Sequence, residues 1–478
     1  MSPIILELLV LGLGSFLLLF EAFAEKQNRD LVAWLGIIGL VAVFLLLQFG
    51  NVSSHSGVAG YTQDAAAVFF KKFVVLTTIV ILVMSLDYAD TFRAFVHGTS
   101  PQAGLGEFYS IPILTCAGMM WMASATDFIL IFVSLELVTV SFYTLVAFTR
   151  KNAASLEAGA KYLILGALST GFFVYGVTWI YGVTRHTNLA DIGQALSSIP
   201  AGNLHGLLFG VMLVVVGLGF KVAAAPFQFW VPDVYQGAPT PITAFLSVGS
   251  KAVGFIVLLR VVETFQRLPA VGDKLIVAMV ILAAATLIYG NFAALPQTNL
   301  KRLLGYSSIG HAGYLLMAVA SVGAYDAGLA VVVYLAAYLL MTLLSFLILI
   351  IVAKHSDGDD IAHFSGLGKR SPFLAFGLLV AMMSLSGIPL TAGFFGKFLV
   401  FKVAYESQQF LLLILGIITV GCGFYYYLKV VRAMYWQTTV GNSSVIPVSR
   451  LSTVTISALV LLIFLFGIFP QLGLGLLS

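Results

Sequence analysis

The sequence predicts an all-α polytopic membrane protein of about 14 transmembrane helices, with two inverted five-helix repeats that each contain a broken helix. Three observations carry this reading. Of 478 residues, 60% are hydrophobic and only 9% charged, against about 25% charged in a soluble domain. Apolar windows of about 20 residues follow one another along the whole chain. Two of these windows are interrupted by proline, and each carries a lysine close to the interruption.

In chain order the windows fall roughly at 4–24, 31–50, 66–87, 108–125, 128–149, 158–182, 205–231, 241–264, 274–294, 303–323, 326–353, 372–403, 410–436 and 451–472. Ala22-Phe23-Ala24 resembles a signal-peptidase site. However, no Lys or Arg precedes the first window, Glu7 lies inside it, and it is long for a signal sequence. It is read as a retained first span. Cys116 and Cys422 both sit in apolar runs and give neither a disulfide framework nor metal-ligand spacing.

Lys and Arg placement sets orientation. Connections after odd-numbered spans carry Lys26, Arg29, Arg93, Arg150, Lys151, Lys301, Arg302, Lys354, Lys369 and Arg370, and Lys429, Arg432 and Arg450 surround the last. Those after even-numbered spans carry Arg185, Arg267 and Lys274. Odd connections are therefore expected inside and both termini outside, with Lys71 and Lys72 as an exception.

The seventh span is broken at Pro226 beside Lys221, and the twelfth at Pro389 beside Lys397. These are the fourth members of spans four to eight and nine to thirteen. Two consecutive groups of five spans must lie in opposite orientation, and paired broken spans point to an ion site near the repeat interface. The chain thus divides into a three-helix segment (1–105), a first repeat (106–270), a second repeat (271–437) and a last helix (438–478).

Ionisable residues inside spans are the candidates for chemistry, because a lysine at mid-bilayer costs about 2.5–3.5 kcal/mol. Glu136 lies about nine residues into the fifth span, near the midplane at about 1.5 Å per residue. It is either a neutral acid hydrogen bonded to a neighbouring helix or a carboxylate paired with a buried lysine. Lys221 and Lys251 fall near the middle of spans seven and eight, and the short PDVYQGAPTP connection puts them at similar depth. A lysine held between a dry surrounding and a carboxylate can exchange its proton when a neighbouring charge moves. Lys397 is placed past the midpoint of span twelve, toward the outside. His311, on span ten, suits proton relay and would bridge the two repeats. Lys161 with Glu157 forms an i,i+4 pair at the start of span six. Trp230, Tyr235, Tyr425, Tyr426, Tyr427 and Trp436 are expected in the interfacial aromatic belts.

No G-x-G-x-x-G after a strand, no P-loop, no C-x-x-C and no histidine pair suited to haem occurs. If the chain moves protons, the driving force comes from across an interface.

The run FKVAAAPFQFWVPDVYQGAPTPITAFLSVGSK resembles the signature of the antiporter-like membrane subunits. This family is shared by respiratory complex I, its photosynthetic and hydrogenase relatives, and multisubunit cation/proton antiporters. SLELVTVSFYTLVAF, EAGAKYLILGALSTGFFVYG, NLKRLLGYSSIGHAGYLL and GIPLTAGFFGKF extend the resemblance over about 105–405. Within the family the wording is most similar to the subunit N members of proton-translocating NADH:quinone oxidoreductase. Subunit L is longer, and subunit M typically has glutamate where this chain has Lys397.

The resemblance implies a charge pair of Glu136 and Lys221 and a connecting Lys251. It also implies a central His311, an exit residue Lys397 and a modulating Lys161. It implies no cofactor in this chain, with NADH, FMN, iron–sulfur clusters and quinone held by other subunits. The implied partners are the other membrane subunits, especially the antiporter-like neighbour M and the small subunits K and J, in a bacterial inner membrane. A D-type subunit of a cation/proton antiporter is the competing expectation, and a passive membrane scaffold is a third.

Overall fold

The computed structural model describes residues 2–23, 30–50, 57–95, 104–324, 326–356, 358–438 and 445–471. Lys26 and Arg29, used above for orientation, lie outside the described residues. In chain order the α-helices are α1 (Ile4–Phe23), α2 (Asp30–Phe49), α3 (Ala65–Ala94), α4 (Leu105–Ser124), α5 (Phe128–Val146), α6 (Ala153–Thr184) and α7 (Leu189–Ala195). Next come α8 (Leu204–Val222), α9 (Trp230–Gly237), α10 (Thr240–Phe245), α11 (Lys251–Phe265), α12 (Pro269–Ala294) and α13 (Leu300–Val319). The last are α14 (Ala327–Ala353), α15 (Leu367–Arg370), α16 (Pro372–Ser386), α17 (Ala392–Glu406), α18 (Phe410–Trp436) and α19 (Arg450–Ile468).

All fourteen expected windows coincide with helices, and eleven spans among the described residues are long and apolar enough to cross a membrane by themselves. The other three are informative. Helices α4 and α13 have 20 residues each but carry polar groups, and the twelfth window is divided between α16 and α17. The chain is a multi-pass membrane protein.

Local chemistry sets the helix ends. Asp64, Asp127, Asn152 and Asn299 each accept a hydrogen bond from a first-turn amide of α3, α5, α6 and α13, which satisfies donors that the helix itself cannot. Proline opens α12 and α16, where its missing N–H is harmless. Both broken spans stop in the same way. Helix α8 ends at Ala223 with φ 63°, and α16 ends at Gly387 with φ 87°, each a left-handed residue that turns the chain off the helix axis. Short helix α9 continues the first broken span, and α17 the second.

A turn of π-helix, Leu246–Ser250, separates α10 from α11 and immediately precedes Lys251. Such bulges occur often at functional sites. An 18-residue stretch of the span from Thr240 to Phe265, and another of α14, are completely enclosed by the rest of the protein. Around α14 pack α3, α13, α16, α17 and α19, while α6 lies along α8 and α12 along α13.

The exception to the charge rule has a packing explanation. Lys71 is not interfacial. Its Nζ lies 2.7 Å from Glu7 Oε1 with both side chains inaccessible, and it donates to the Tyr61 hydroxyl at 2.6 Å. Tyr61 in turn donates to Glu7 at 2.7 Å. The pair ties α1 to α3, so Lys71 carries no information about sidedness.

The aromatic expectation needs correction. Tyr425 and Trp436 are exposed, as a belt requires, but Trp230, Tyr235, Tyr426 and Tyr427 are buried. The break at 223–229 carries Trp230 and Tyr235 back into the protein. Helix α18 has 27 residues, so Tyr427 lies about 14 Å before its end, inside the protein.

Candidate functional site, a buried basic row

Lys221, Lys251, His311 and Lys397 are all buried, with exposures of 5%, 1%, 2% and 6%. A buried charge needs a polar partner, and each finds one on a different helix.

Lys221 is in the last turn of α8. Its ammonium group donates to the Thr139 hydroxyl on α5, and Thr139 passes a hydrogen bond to the Leu135 carbonyl at 2.6 Å. Thr139 lies three residues after Glu136, on the same face of α5. Glu136 itself accepts from the Thr170 hydroxyl of α6 at 2.7 Å. The expected direct pair between Glu136 and Lys221 is therefore not formed. Thr139 is the near contact of Lys221 on α5, one turn after Glu136. The aromatic rings of Phe220, Tyr162 and Trp230 surround the site, and the Trp230 indole N–H closes it by donating to the Phe220 carbonyl at 3.1 Å.

Lys251 starts α11. A side chain at Gly254, one turn later, would touch Lys221 Cβ at 3.4 Å, so the two lysines occupy adjoining helix faces. They do not bond to each other. Lys251 turns the other way and donates to the Ser308 carbonyl at 2.8 Å and also to its hydroxyl. The Ser308 hydroxyl also meets the Tyr235 hydroxyl at 3.1 Å. On the next turn of α13 is His311, gripped at both nitrogens. Its Nδ1 lies 2.7 Å from the Tyr334 hydroxyl and its Nε2 3.0 Å from the Tyr427 hydroxyl. Tyr427 continues to Ser307.

Lys397 lies on α17, but its ammonium reaches back across the break. It donates to the Leu385 and Ser386 carbonyls, both at 2.9 Å, at the C-terminal end of α16. A helix C-terminus favours a cation. The ring of Tyr314, one turn beyond His311, lies 5.2 Å from the Lys397 Nζ. Sequence position placed Lys397 toward the outer face. Its charge instead sits at the break itself.

Lys161 does more than pair with Glu157. It lies 2.7 Å from Glu157 and 2.7 Å from Asp233 on α9, and Asp233 also holds Arg302 of α13 at 2.9 Å. Arg302 extends to Gln236 at 3.0 Å. One carboxylate therefore connects α6, α9 and α13. Beside it the buried Lys301 donates to the Ala238 carbonyl at 2.8 Å.

Sequence reasoning missed Thr139, Ser308, Tyr334, Tyr427, Asp233 and Arg302. Thr139 and Ser308 lie one helical turn from Glu136 and His311, a spacing that many self-satisfied hydroxyls in spanning helices share. Among the described residues, no group of three or more His, Cys, Asp or Glu side chains is placed to hold a metal ion.

The family model described as NADH:quinone oxidoreductase/Mrp antiporter, TM matches residues 125–423, well over half of the chain. The chain belongs to this family. The matched residues hold every member of the basic row. Among similar relatives is the NADH-quinone oxidoreductase subunit N of Trichlorobacter lovleyi, 39% identical over 91% of this chain and 88% of that relative. A chain of respiratory complex I from Thermus thermophilus with bound aureothin superposes with a TM-score of 0.82 at 30% identity, covering 99% of each chain. A chain of the Mrp complex from Dietzia sp. also gives 0.82, covering 99% of this chain and 95% of that one. At 18% identity, that likeness shows a common fold alone. The antiporter-like fold is thus common to both branches of the family, and the sequence identity lies with the oxidoreductase branch.

Proposed function

We propose that this chain is the proton-conducting membrane subunit of an NADH:quinone oxidoreductase. Electron transfer from NADH to quinone takes place in other subunits and is coupled through this one to proton translocation. The observation that carries the reading is the row Lys221, Lys251, His311 and Lys397, buried in the spans and joined to hydroxyls and carbonyls of facing helices. Four buried basic groups in one membrane domain mark a path for charge.

In this reading Glu136 sets the charge state of Lys221 through Thr139. The proton moves by way of Lys251 and Ser308 to the His311 centre and leaves from Lys397, and Lys161 modulates entry through Asp233. The two repeats are 106–270 and 271–437, following the 1–105 segment and preceding 438–478. The left-handed stops at Ala223 and Gly387 support this division. NADH, FMN, iron–sulfur clusters and quinone belong to other subunits. The nearest partners are the antiporter-like neighbour M and the small subunits K and J. The membrane is the bacterial inner membrane, with both termini outside.

The test is Lys221→Ala in the reconstituted complex. NADH oxidation without a matching proton gradient is the expected result, and an unchanged ratio of pumping to oxidation would sink the proposal. The shared fold of the Mrp chain favours one alternative, a D-type subunit of a cation/proton antiporter. Purification separates the two: flavin and iron–sulfur subunits accompany the chain in the first case and are missing in the second.

A further inference from the structure

Helices α2, α3, α14 and α19 enclose a cavity of about 500 Å³, lined by α14 residues other than the Tyr334 and Tyr338 that meet the basic row. Its walls are almost wholly apolar, formed by residues such as Phe44, Leu340, Leu462 and Phe466. Two polar side chains interrupt them, Gln48 and Lys72. Lys72 is 5% exposed. Among the described residues neither its ammonium nor the Gln48 amide has a hydrogen-bond or ion-pair partner. Lys71, the preceding residue, is fully satisfied by Glu7 and Tyr61, so the lack of a partner is particular to Lys72.

Depth identifies the occupant. Successive spans alternate in direction, so the end of α2, the start of α3, the start of α14 and the end of α19 lie at one membrane face. Gln48 is next to the end of α2. The Lys72 backbone lies about 10 Å below that face, and its side chain, leaning toward the helix N-terminus, carries the ammonium more than halfway toward the headgroups. The apolar walls continue below it into the hydrocarbon region. An α-helix about 10 Å across would fill this volume within about one turn, whereas a flexible acyl chain can follow it.

We infer that this groove is a binding site for an anionic phospholipid. Its phosphate accepts hydrogen bonds from Lys72 and Gln48, and one acyl chain lies between α3 and α14. A basic pocket between spans is a recognised way of holding such a headgroup.

The experiment uses the intact assembly, stripped of lipid in detergent and re-equilibrated with phosphatidylglycerol and phosphatidylcholine in equal amounts. Native mass spectrometry then counts lipid on this subunit. Wild type should retain phosphatidylglycerol preferentially. Lys72→Leu should weaken that retention about fivefold, and Lys72→Arg should preserve it. Ala336→Phe keeps the cation and fills the groove, so it should release the lipid. Equal retention of both lipids by wild type would overturn the inference, as would unchanged phosphatidylglycerol in Lys72→Leu and Ala336→Phe. A photo-crosslinker at position 340 that labels a polypeptide instead of lipid would overturn it too. Should Lys72→Leu fail to assemble, Lys72→Arg and Ala336→Phe still decide the matter.

Discussion

Lys251 holds Ser308 twice, through the backbone carbonyl at 2.8 Å and through the side-chain hydroxyl. This is one of the points where the first half of the chain touches the second half's histidine helix, beside the Tyr235–Ser308 and Asp233–Arg302 contacts. Hydrogen bonds to a charged group contribute about 1.5–3 kcal/mol each. Ser308→Ala should leave the carbonyl contact and slow coupled pumping by roughly tenfold or more. The check is a gradient-sensitive dye in proteoliposomes, read against NADH oxidation.

Thr139, one turn after Glu136 on α5, accepts a hydrogen bond from Lys221. Thr139→Val keeps the shape and removes the hydroxyl, so Lys221 loses its contact on α5. The expected result is a pumping defect as large as that of Glu136→Gln, with Thr139→Ser restoring function. Wild-type pumping by Thr139→Val would show that Lys221 does not need the hydroxyl.

His311 is held by Tyr334 on one side and Tyr427 on the other. Removing either phenol leaves one ring nitrogen without its partner, at a cost of about 1–3 kcal/mol. Tyr334→Phe and Tyr427→Phe should each impair pumping partially, and the double variant should approach His311→Ala. Strict additivity of the two single effects would argue against a shared role, because groups around one ring should couple.

Gly387 adopts φ 87°, and a Cβ there would lie 2.9 Å from Lys397 Cδ and 3.3 Å from its Nζ. A left-handed conformation costs a residue with a side chain about 1–2 kcal/mol. Gly387→Ala should therefore lower the melting temperature of the purified assembly and also displace the Lys397 ammonium from its carbonyls. Gly421, with open space around it, makes the control. Gly421→Ala, in the interior of α18, should leave the Lys397 ammonium in place and should not lower the melting temperature.

Asp233→Asn should leave Lys161 with Glu157 alone and release Arg302. Exposed pairs contribute about 0–1 kcal/mol each, so assembly should survive while pumping becomes more sensitive to salt. Titrating ionic strength against initial pumping rate in the two forms checks it.

The legible part of the site was the part made of ionisable residues. Glu136, Lys221, Lys251, His311 and Lys397 stand out in apolar runs because each is costly there. Their partners do not stand out. A threonine or serine in a spanning helix usually satisfies itself on the carbonyl four residues back, as Ser345 does with Met341. Nothing in the run around Thr139 distinguishes it from such residues. Asp233 was hidden for another reason. It follows Pro232 in a connection that reads as a turn, and only the folding of α9 against α6 and α13 brings two cations to it. The span count was legible because length and hydropathy suffice for it. The aromatic residues were misplaced because a broken helix and a long one both shift depth relative to sequence number.

The two broken spans hold their lysines against different kinds of negative charge. Lys221 bonds to a hydroxyl one turn from the Glu136 carboxylate, whose charge a proton can erase. Lys397 is balanced by the carbonyls at a helix end, which no proton erases. One terminal of the row can thus be switched and the other has a fixed bias. Under the proposed path, the first half would serve as a gate and the second would hold a constant bias, set by the backbone at Leu385 and Ser386.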